Sequence, residues 1–522
     1  MRRPSSVFLR CVDQVHGKIG FGATGPFRSS RLHQHSILGG IHVNDIIAAA
    51  LNAAQLAGAS YADARIVDTS REELQIASGV VEAVERSDSF GIGVRALIDG
   101  AWGFASSRTV TADEAAHVAR HAVAIARASA MVAGAPVALT PVEPARGTWS
   151  GPVGIDPFQV PLEDKLALLI AADEALRAQP EVTLTKAHMG FFRERKWFGS
   201  TEGAMTEQSV IESGAGIVAY AIGEGEVVSR SYPNSHGGGW EQAGWEYITR
   251  LDLVGNAPRV AEQAAALLSA PFVEPGMRDL IIDGGQVALQ VHESIGHPTE
   301  LDRVLGEEAA FAGTSFVGLG DVGTLQYGSE HVTVTSDATI SGSLGSFGWD
   351  DEGVPAQRDY LVREGVLTGL QTSRETAASI GRTSNGCMRA DGWNRIPLIR
   401  MTTVSLEPGT WAFDDLVADT EGGLYIETNN SWSIDDKRLN FQFGCEIGWQ
   451  IENGKLGRMV KTPNYTGITP QFWGSCDAVC SRDYWQVWGL ANCGKGEPMQ
   501  TAHVAHGAAP ARFRNVQVGV GR

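Results

Sequence analysis

The chain has 522 residues, of which 43% are apolar, and its 60 acidic and 42 basic side chains give a formal net charge of −18. The length predicts roughly three or four domains of about 150 residues, and the acidic balance argues against a nucleic-acid-binding protein, which needs a basic face. Six cysteines in so long a chain predict no disulfide framework and favour a reducing compartment such as the cytoplasm.

Residues 1–40 are predicted to be an extension outside the folded part of the chain. They contain six basic residues and one acid, Asp13, which fits either an unstructured tail or a weak organelle-transit segment. The apolar run at residues 7–9 is too short for a secretory signal. No apolar run elsewhere reaches the roughly 18 residues of a membrane-spanning helix, so we expect no membrane association.

Residues 41–134 are predicted to form an N-terminal α+β domain. A helix with an apolar face begins near Asn44, and strand-like stretches follow up to a turn at residues 99–100. A second helix begins at the capping box of Thr111 and Glu114. A sheet with helices of this size is typical of an α+β domain.

The rest of the chain is predicted to contain a linker and two further domains. Residues 135–160 are rich in Pro and Gly and indicate a linker. Residues 161–270 are predicted to form a middle domain of mixed helices and strands, which begins with a helix at Pro161. Residues 271–522 are dominated by short strands and turns and predict a β-rich C-terminal domain. The fold class expected for the whole chain is therefore α+β.

The most informative chemical signal is the sequence H-E-S-I-G-H at residues 292–297, an H-E-x-x-x-H pattern. It lies on a predicted helix that begins with a capping box of Asp283 and Gln286. In the related H-E-x-x-H pattern, two histidines four positions apart share a helix face and hold one zinc ion. The alternative for the longer pattern is an exposed helix with two unrelated histidines.

The two histidines of this pattern are five positions apart, which places them about 140° apart around a regular helix. Both imidazoles can reach one metal ion only if the helix distorts or ends between them. Gly296 and Pro298 offer the means, because glycine is conformationally permissive and proline disfavours helical dihedral angles in the preceding residue. We therefore expect His297 to lie at a helix end and to turn back towards His292.

A third metal ligand has to come from elsewhere, since catalytic zinc sites usually take three protein ligands and one water. Cys476 and Cys480 have the spacing of half a structural zinc site, and Cys493 lies among glycines beside Lys495, whose charge favours a thiolate. A buried, inert thiol is the alternative for each cysteine. The candidates are Cys445, Cys476, Cys480, Cys493, His503 and His506.

Charged residues further along the chain allow two interpretations each. Asp350, Asp351 and Glu352 are either orienting partners of the histidines or an acidic turn. Arg358 and Arg389 either hold a peptide carboxylate or form surface salt bridges, which is the commoner fate of an arginine.

Together with further short motifs along the chain, the H-E-x-x-x-H pattern makes the sequence resemble the TldD/PmbA family of zinc-dependent peptidases, and specifically its metal-bearing TldD branch. The resemblance covers the chain from about residue 42 to residue 522. It departs from the family at Pro298 and in a Trp- and Cys-rich stretch at residues 473–488. The motifs that carry it lie at residues 61–65, 91–105, 292–297, 300, 313–315, 350–353, 357–358, 385–386 and 493–495.

The resemblance implies an N-terminal α+β domain, a middle domain and a β-rich C-terminal metal domain. It implies that His292, His297 and Cys493 bind Zn²⁺ and that Glu293 is the catalytic base of an HExxxH-type metallopeptidase. The implied substrates are unfolded, small or modified peptides. The implied assembly is a homodimer or a heterodimer with a PmbA (TldE)-like homologue. The alternative is a non-catalytic peptide-binding partner subunit of the same fold.

Overall fold

The computed structural model describes residues 42–519 except residues 133, 224, 312, 497 and 498. The extension predicted for residues 1–40 lies outside this range. Ten α-helices are present in the described part of the chain, and those after residue 270 have at most eight residues. They are α1 (Val43–Leu56), α2 (Ala112–Ala130), α3 (Leu162–Arg177), α4 (Trp245–Leu251), α5 (Leu253–Ser269), α6 (Gly284–Val291), α7 (Leu301–Val304), α8 (Arg374–Ser379), α9 (Phe413–Ala418) and α10 (Thr469–Gly474).

An eight-stranded sheet dominates the first half of the chain. Its strands follow the order β3-β2-β1-β5-β6-β4, with β7 and β8 also paired to β6. Helices α1 and α2 pack on one end of the sheet, and α3 and α5 pack on its middle strands. The strands are β1 (Tyr61–Ala77), β2 (Val80–Ile98), β3 (Ala101–Ser107), β4 (Arg146–Ser150), β5 (Val182–Ser200), β6 (Met205–Gly223), β7 (Glu226–Tyr232) and β8 (Gly239–Glu241).

The second half of the chain contains several smaller sheets. Their strands are β9 (Gly276–Ile282), β10 (Val334–Asp337), β11 (Arg358–Arg363), β12 (Val366–Leu367), β13 (Met388–Arg389), β14 (Leu398–Ile399), β15 (Val404–Leu406), β16 (Gly422–Ile434), β17 (Asn440–Glu452), β18 (Lys455–Lys461), β19 (Asn464–Ile468), β20 (Cys476–Val479), β21 (Gln486–Lys495), β22 (Gln500–Ala508) and β23 (Ala511–Val518).

The largest of these sheets follows the order β16-β9-β23-β19-β17-β18, and β20 joins it at β23. Since β16 also pairs with β17, five of its strands close on themselves. Strands β10, β11, β12 and β15 form a four-stranded sheet, while β13–β14 and β21–β22 form two-stranded ribbons. The C-terminal core lies between these sheets and α6.

Several local predictions are confirmed. The apolar face of α1 is buried against the sheet, and the turn at residues 99–100 has positive φ at both positions. The side chain of Thr111 accepts a hydrogen bond from the backbone N–H of Glu114, so the predicted cap begins α2. The mixture of helices and strands confirms the α+β fold class.

The first two predicted domains contribute strands to one sheet, because β1 pairs with β5 along 15 residue pairs. The stretch predicted as a linker, residues 135–160, contains β4, which runs parallel to β6. The described residues from Val43 onward form one compact unit. The domain boundaries at residues 134, 160 and 270 stay a prediction. No helix among the described residues is long and apolar enough to cross a membrane.

Candidate metal centre

The H-E-x-x-x-H segment forms a single π-helical turn, His292–Gly296, directly after α6. The backbone N–H of His297 donates to the carbonyl oxygen of His292, so donor and acceptor are five positions apart and His297 lies one turn beyond His292. The two imidazole centroids are 4.7 Å apart. His297 keeps helical dihedral angles, φ −63° and ψ −45°. The predicted departure from helical geometry at His297 is therefore wrong, and the distortion lies in the turn before it.

Gly296 serves the turn through its small size. Its φ of −57° is open to any residue, but a Cβ at this position would lie 2.1 Å from Sδ of Met401. Glycine was predicted at position 296 for its conformational freedom, but the structure requires it because a larger residue would collide with Met401. Pro298 lies inside a short 3-10 helix, His297–Thr299, where its ring is accommodated near the helix start.

Replacing Gly296 by Ala is expected to lower the free energy of unfolding by about 1–3 kcal/mol, because Met401 or the π-turn has to move. Chemical denaturation monitored by circular dichroism measures the change. Gly320→Ala is the matched control, since a Cβ there would meet no atom within 4 Å. Equal stability of the two variants would contradict this account of the turn.

Two carbonyl groups of the π-turn accept hydrogen bonds from side chains in distant segments. The Tyr327 hydroxyl donates to the Ser294 carbonyl oxygen at 2.5 Å, and Gln371 Nε2 donates to the Gly296 carbonyl oxygen at 2.7 Å. Trp473, fully buried, donates from Nε1 to the Ser294 hydroxyl at 2.9 Å. These contacts stabilise a backbone geometry that would otherwise leave buried polar groups unpaired.

Strand β21 places Cys493 against the two histidines. Its Sγ lies 3.5 Å from Nε2 of His292 and 3.8 Å from Nε2 of His297, and the three side chains are buried. Ligands at corners of a tetrahedron around zinc, with bonds of about 2.0–2.3 Å, are about 3.5 Å apart. The cluster therefore fits a zinc ion with an open fourth position. Among the described residues, this is the one cluster of three or more His, Cys, Asp or Glu side chains whose ligand atoms are close enough to hold a metal ion.

Hydrogen bonds fix which nitrogen of each imidazole faces the cluster. His506 Nδ1 lies 2.9 Å from the carbonyl oxygen of Val404, which only accepts, so its Nε2 accepts from Nδ1 of His292 at 2.7 Å. Nδ1 of His297 lies 3.0 Å from Oε2 of Glu300 and donates to it. Each ligand histidine therefore presents the lone pair of Nε2 to the space shared with Cys493.

The charge states of these groups suit a metal site. Burial lowers the pKa of His292 to about 4 and also lowers the pKa of His297, which favours the neutral imidazoles that bind metal. Burial raises the pKa of the Cys493 thiol, but the positive charge of Arg400 and the contact with His297 outweigh it, and the net shift is downward. The thiolate is thereby favoured.

Lys495, predicted to favour this thiolate, has a different role. Its Nζ lies 2.8 Å from the Asp302 carboxylate and 3.3 Å from Glu300, within the buried network behind His297. Although burial opposes it, the charge of Lys495 and the hydrogen bond from His297 hold the pKa of Glu300 well below its usual range. Glu300 is therefore a charged acceptor for His297.

Glu293 lies beside the cluster without joining it. Its side chain is 9% exposed, and its Oε2 forms an ion pair with Arg438. Arg438 occupies a tight turn with φ 62° between β16 and β17. Sequence analysis missed this arginine because it is 145 positions away in the chain.

The other candidate ligands lie elsewhere or behind the cluster. Burial raises the pKa values of Cys476 and Cys480 to about 12, as expected for inert core thiols. Cys445 is also a free, buried cysteine whose pKa is raised by burial. His503 pairs with Glu212. The interpretation of a structural zinc site at Cys476 and Cys480 thus finds no support in the geometry.

The acidic residues at positions 350–352 pair with groups other than the two histidines, so of the two interpretations the acidic turn fits their contacts. Asp350 accepts hydrogen bonds from backbone N–H groups of its own turn and of Met388. Asp351 forms ion pairs with Lys196 and Arg65. Glu352 contacts the guanidinium of Arg95 and accepts a hydrogen bond from the backbone N–H of Arg374. The ion pairs with Lys196, Arg65 and Arg95 join the C-terminal half of the chain to the eight-stranded sheet.

The two arginines considered for substrate binding differ in environment. Arg358 is 45% exposed and forms a salt bridge of 2.9 Å with Glu407, which is the surface alternative. Arg389 lies in the wall of a cavity and donates to the carbonyl oxygens of Met401 and His503.

Comparison with protein families gives three consecutive matches. They are described as PmbA/TldA metallopeptidase domain 1 over residues 62–126, the central domain over residues 155–270 and the C-terminal domain over residues 275–520. The last match contains the whole metal cluster.

The similar sequences are named as metalloproteases. A metalloprotease of Methanocaldococcus jannaschii is 28% identical over 83% of this chain and 92% of its own length. A metalloprotease TldD homolog of Haemophilus influenzae is 25% identical over 88% of this chain and 92% of its own length. A zinc metalloprotease TldD homolog of Saccharolobus solfataricus is 23% identical over 51% of this chain and 54% of its own length.

Solved structures share the fold. The crystal structure of TldE from Thermococcus kodakarensis superposes with a TM-score of 0.69 at 15% identity, over 91% of this chain and 100% of that one. A Thermotoga maritima structure gives a TM-score of 0.71 at 17% identity, over 92% and 100% of the two chains.

Proposed function

Because the chain belongs to the PmbA/TldD metallopeptidase family, we propose that it is a zinc-dependent peptidase with His292, His297 and Cys493 as metal ligands and Glu293 as general base. The observation that carries the proposal is that the ligand atoms of His292, His297 and Cys493 all lie within 4.8 Å of one another, with Sγ 3.5 Å and 3.8 Å from the two Nε2 atoms. The hydrogen-bonded tautomers of both histidines add to it. A zinc metalloprotease name among the relatives favours zinc as the metal.

The chemistry divides between the metal and the chain. His292, His297 and Cys493 would hold the zinc ion, which when bound would supply an activated water at about neutral pH and polarise the scissile carbonyl. Glu293 accepts a proton of the attacking water and delivers it to the leaving amide nitrogen. Arg438 holds one carboxylate oxygen of Glu293, which leaves the other free for the proton. The thiolate of Cys493 offsets part of the metal charge and makes a milder Lewis acid than three histidines would.

The proposed substrates are unfolded, small or modified peptides. Counted as whole residues, His292, His297, Cys493 and Glu293 are each between 3% and 7% exposed, which favours an extended chain over a folded domain as substrate. If substrates add to a strand edge, main-chain hydrogen bonds dominate and cleavage is broad. A digest of varied unfolded peptides that gave one narrowly defined cleavage sequence would count against this.

The alternative is a non-catalytic peptide-binding subunit of the same fold. The presence of the complete His292-Glu293-His297 set disfavours it. The likeness to a structure named TldE supports a heterodimer with a PmbA (TldE)-like partner, and a homodimer is the second possibility. Zinc content and peptide turnover of the purified chain, alone and with that partner, test the proposal. Location in the cytoplasm remains a prediction.

Replacing Glu300 by Gln is expected to weaken zinc binding by about 10- to 100-fold, because the charged acceptor that orients His297 is lost. Competition with a chromogenic chelator measures the dissociation constant. Glu330→Gln, at an exposed position, is the matched control and should bind zinc like the unaltered chain. An unchanged dissociation constant for the Glu300 variant, with its circular dichroism unchanged, would contradict the assigned role.

A further inference from the structure

A cavity of about 300 Å³ lies between the eight-stranded sheet and the C-terminal half of the chain. Its size falls in the range of small-molecule and peptide pockets, about 300–1,000 Å³. Both halves of the chain contribute walls, including the aromatic side chains of Phe192 and Trp349. Arg400 connects the cavity to the metal centre, because it lines the cavity and donates to the carbonyl oxygen of Cys493 at 2.5 Å.

Three guanidinium groups line this cavity, and none forms an ion pair with a carboxylate of the described residues. Arg71 is exposed at its mouth and lies over the Phe192 ring at 5.0 Å. Arg389, half-buried, donates to the carbonyl oxygens of Met401 and His503. Arg400, 1% exposed, donates to those of Cys493 and Gln500. Their direct contacts are therefore with backbone carbonyl oxygens and aromatic rings.

The six acidic residues that line the same cavity all have polar partners, which for Asp88 and Asp350 are the Ser70 hydroxyl and backbone N–H groups. Glu194 and Asp351 form ion pairs with Lys196, and Glu212 pairs with His503. Asp391 accepts a hydrogen bond from a backbone N–H. The guanidinium of Arg389 forms no ion pair with a carboxylate of the described residues; burial lowers its pKa, although the charges of Glu212, Asp351 and Glu194 act in the opposite direction. A buried charge without a counterion is costly unless a ligand supplies one.

We propose that this cavity is a carboxylate-binding subsite, in which Arg389, with Arg71 and Arg400, receives an acidic group of the peptide substrate. The planar guanidinium fork matches a carboxylate in shape and charge. This inference rests on the proposed peptidase function and narrows its substrates to peptides that carry a carboxylate near the cleaved bond. The carboxylate is either the C-terminal one or an acidic side chain.

Peptide binding to the zinc-loaded Glu293→Gln chain tests the subsite separately from catalysis. Three fluorescein-labelled peptides of one sequence are compared by anisotropy: a free acid, its C-terminal amide, and the amide with one internal Gln changed to Glu. We expect the free acid or the Glu-containing amide to bind about 10- to 100-fold more tightly than the plain amide. The arm that binds tightly identifies the source of the carboxylate.

Adding Arg389→Gln to the Glu293→Gln chain should make the plain amide and the carboxylate-bearing peptide bind with nearly equal dissociation constants. Arg389→Lys should restore part of the difference, because the positive charge returns. Arg363→Gln, an exposed arginine outside the cavity, is the matched control and should keep the ratio. Equal binding of all three peptides, or a full ratio in the Arg389→Gln chain, would overturn the subsite. The plain amide peptide carries no carboxylate for the subsite. Its hydrolysis by the chain with Glu293 intact therefore tests the peptidase proposal independently of the subsite.

Discussion

Glu293→Gln is expected to lower kcat for peptide hydrolysis by about 10²- to 10⁴-fold, the range that general base catalysis contributes. The amide is the same size as the carboxylate, yet it cannot accept the proton of the attacking water. Zinc content should stay at about one ion per chain, because Glu293 is not among the three clustered ligands. Hydrolysis of a quenched fluorescent peptide and metal analysis of the same sample measure both quantities.

The geometry around Glu293 makes this expectation specific. Its ion pair with Arg438 holds the carboxylate beside the cluster, while the two ligand histidines are oriented by His506 and Glu300. The substitution therefore leaves the metal ligands and their partners in place. Glu452→Gln, at an exposed position of β17, is the matched control and should keep full turnover. If the Glu293 variant kept its zinc and still hydrolysed peptide at the original rate, another residue would have to be the base.

Local sequence signals predicted the parts of the site that depend on neighbouring residues. Asp283 begins α6 as its spacing to Gln286 indicates, with side-chain hydrogen bonds to two backbone N–H groups. The need for a helix distortion between His292 and His297 also followed from the helix period alone. The form of that distortion did not, because the π-turn depends on Tyr327 and other side chains from distant segments.

The remaining features arise from contacts that no local pattern encodes. His506 approaches His292 across 214 positions of sequence, and Arg438 approaches Glu293 across 145. Lys495 was predicted to favour the Cys493 thiolate because it lies two positions away in the chain, but its side chain reaches the buried carboxylate of Asp302 instead. Charge effects in a core follow from tertiary packing, and sequence distance is a poor guide to them.

Cys493→Ala is expected to reduce zinc content from about one ion per chain to near zero and to abolish peptide turnover, since two neutral histidines alone lack the usual third ligand. Cys476→Ala is the matched control, because it removes an equally buried thiol outside the cluster and should keep both zinc and turnover. Both substitutions leave a small core cavity of similar size, so a difference in metal content between folded variants isolates the ligand role. Cys493→Ser tests the same point with little change in volume and should also lose zinc, because a hydroxyl is not among the usual zinc ligands. Retention of a full zinc ion by the Cys493 variants, or its loss from Cys476→Ala, would move the metal away from the His292–His297 turn and remove the basis of the proposed mechanism.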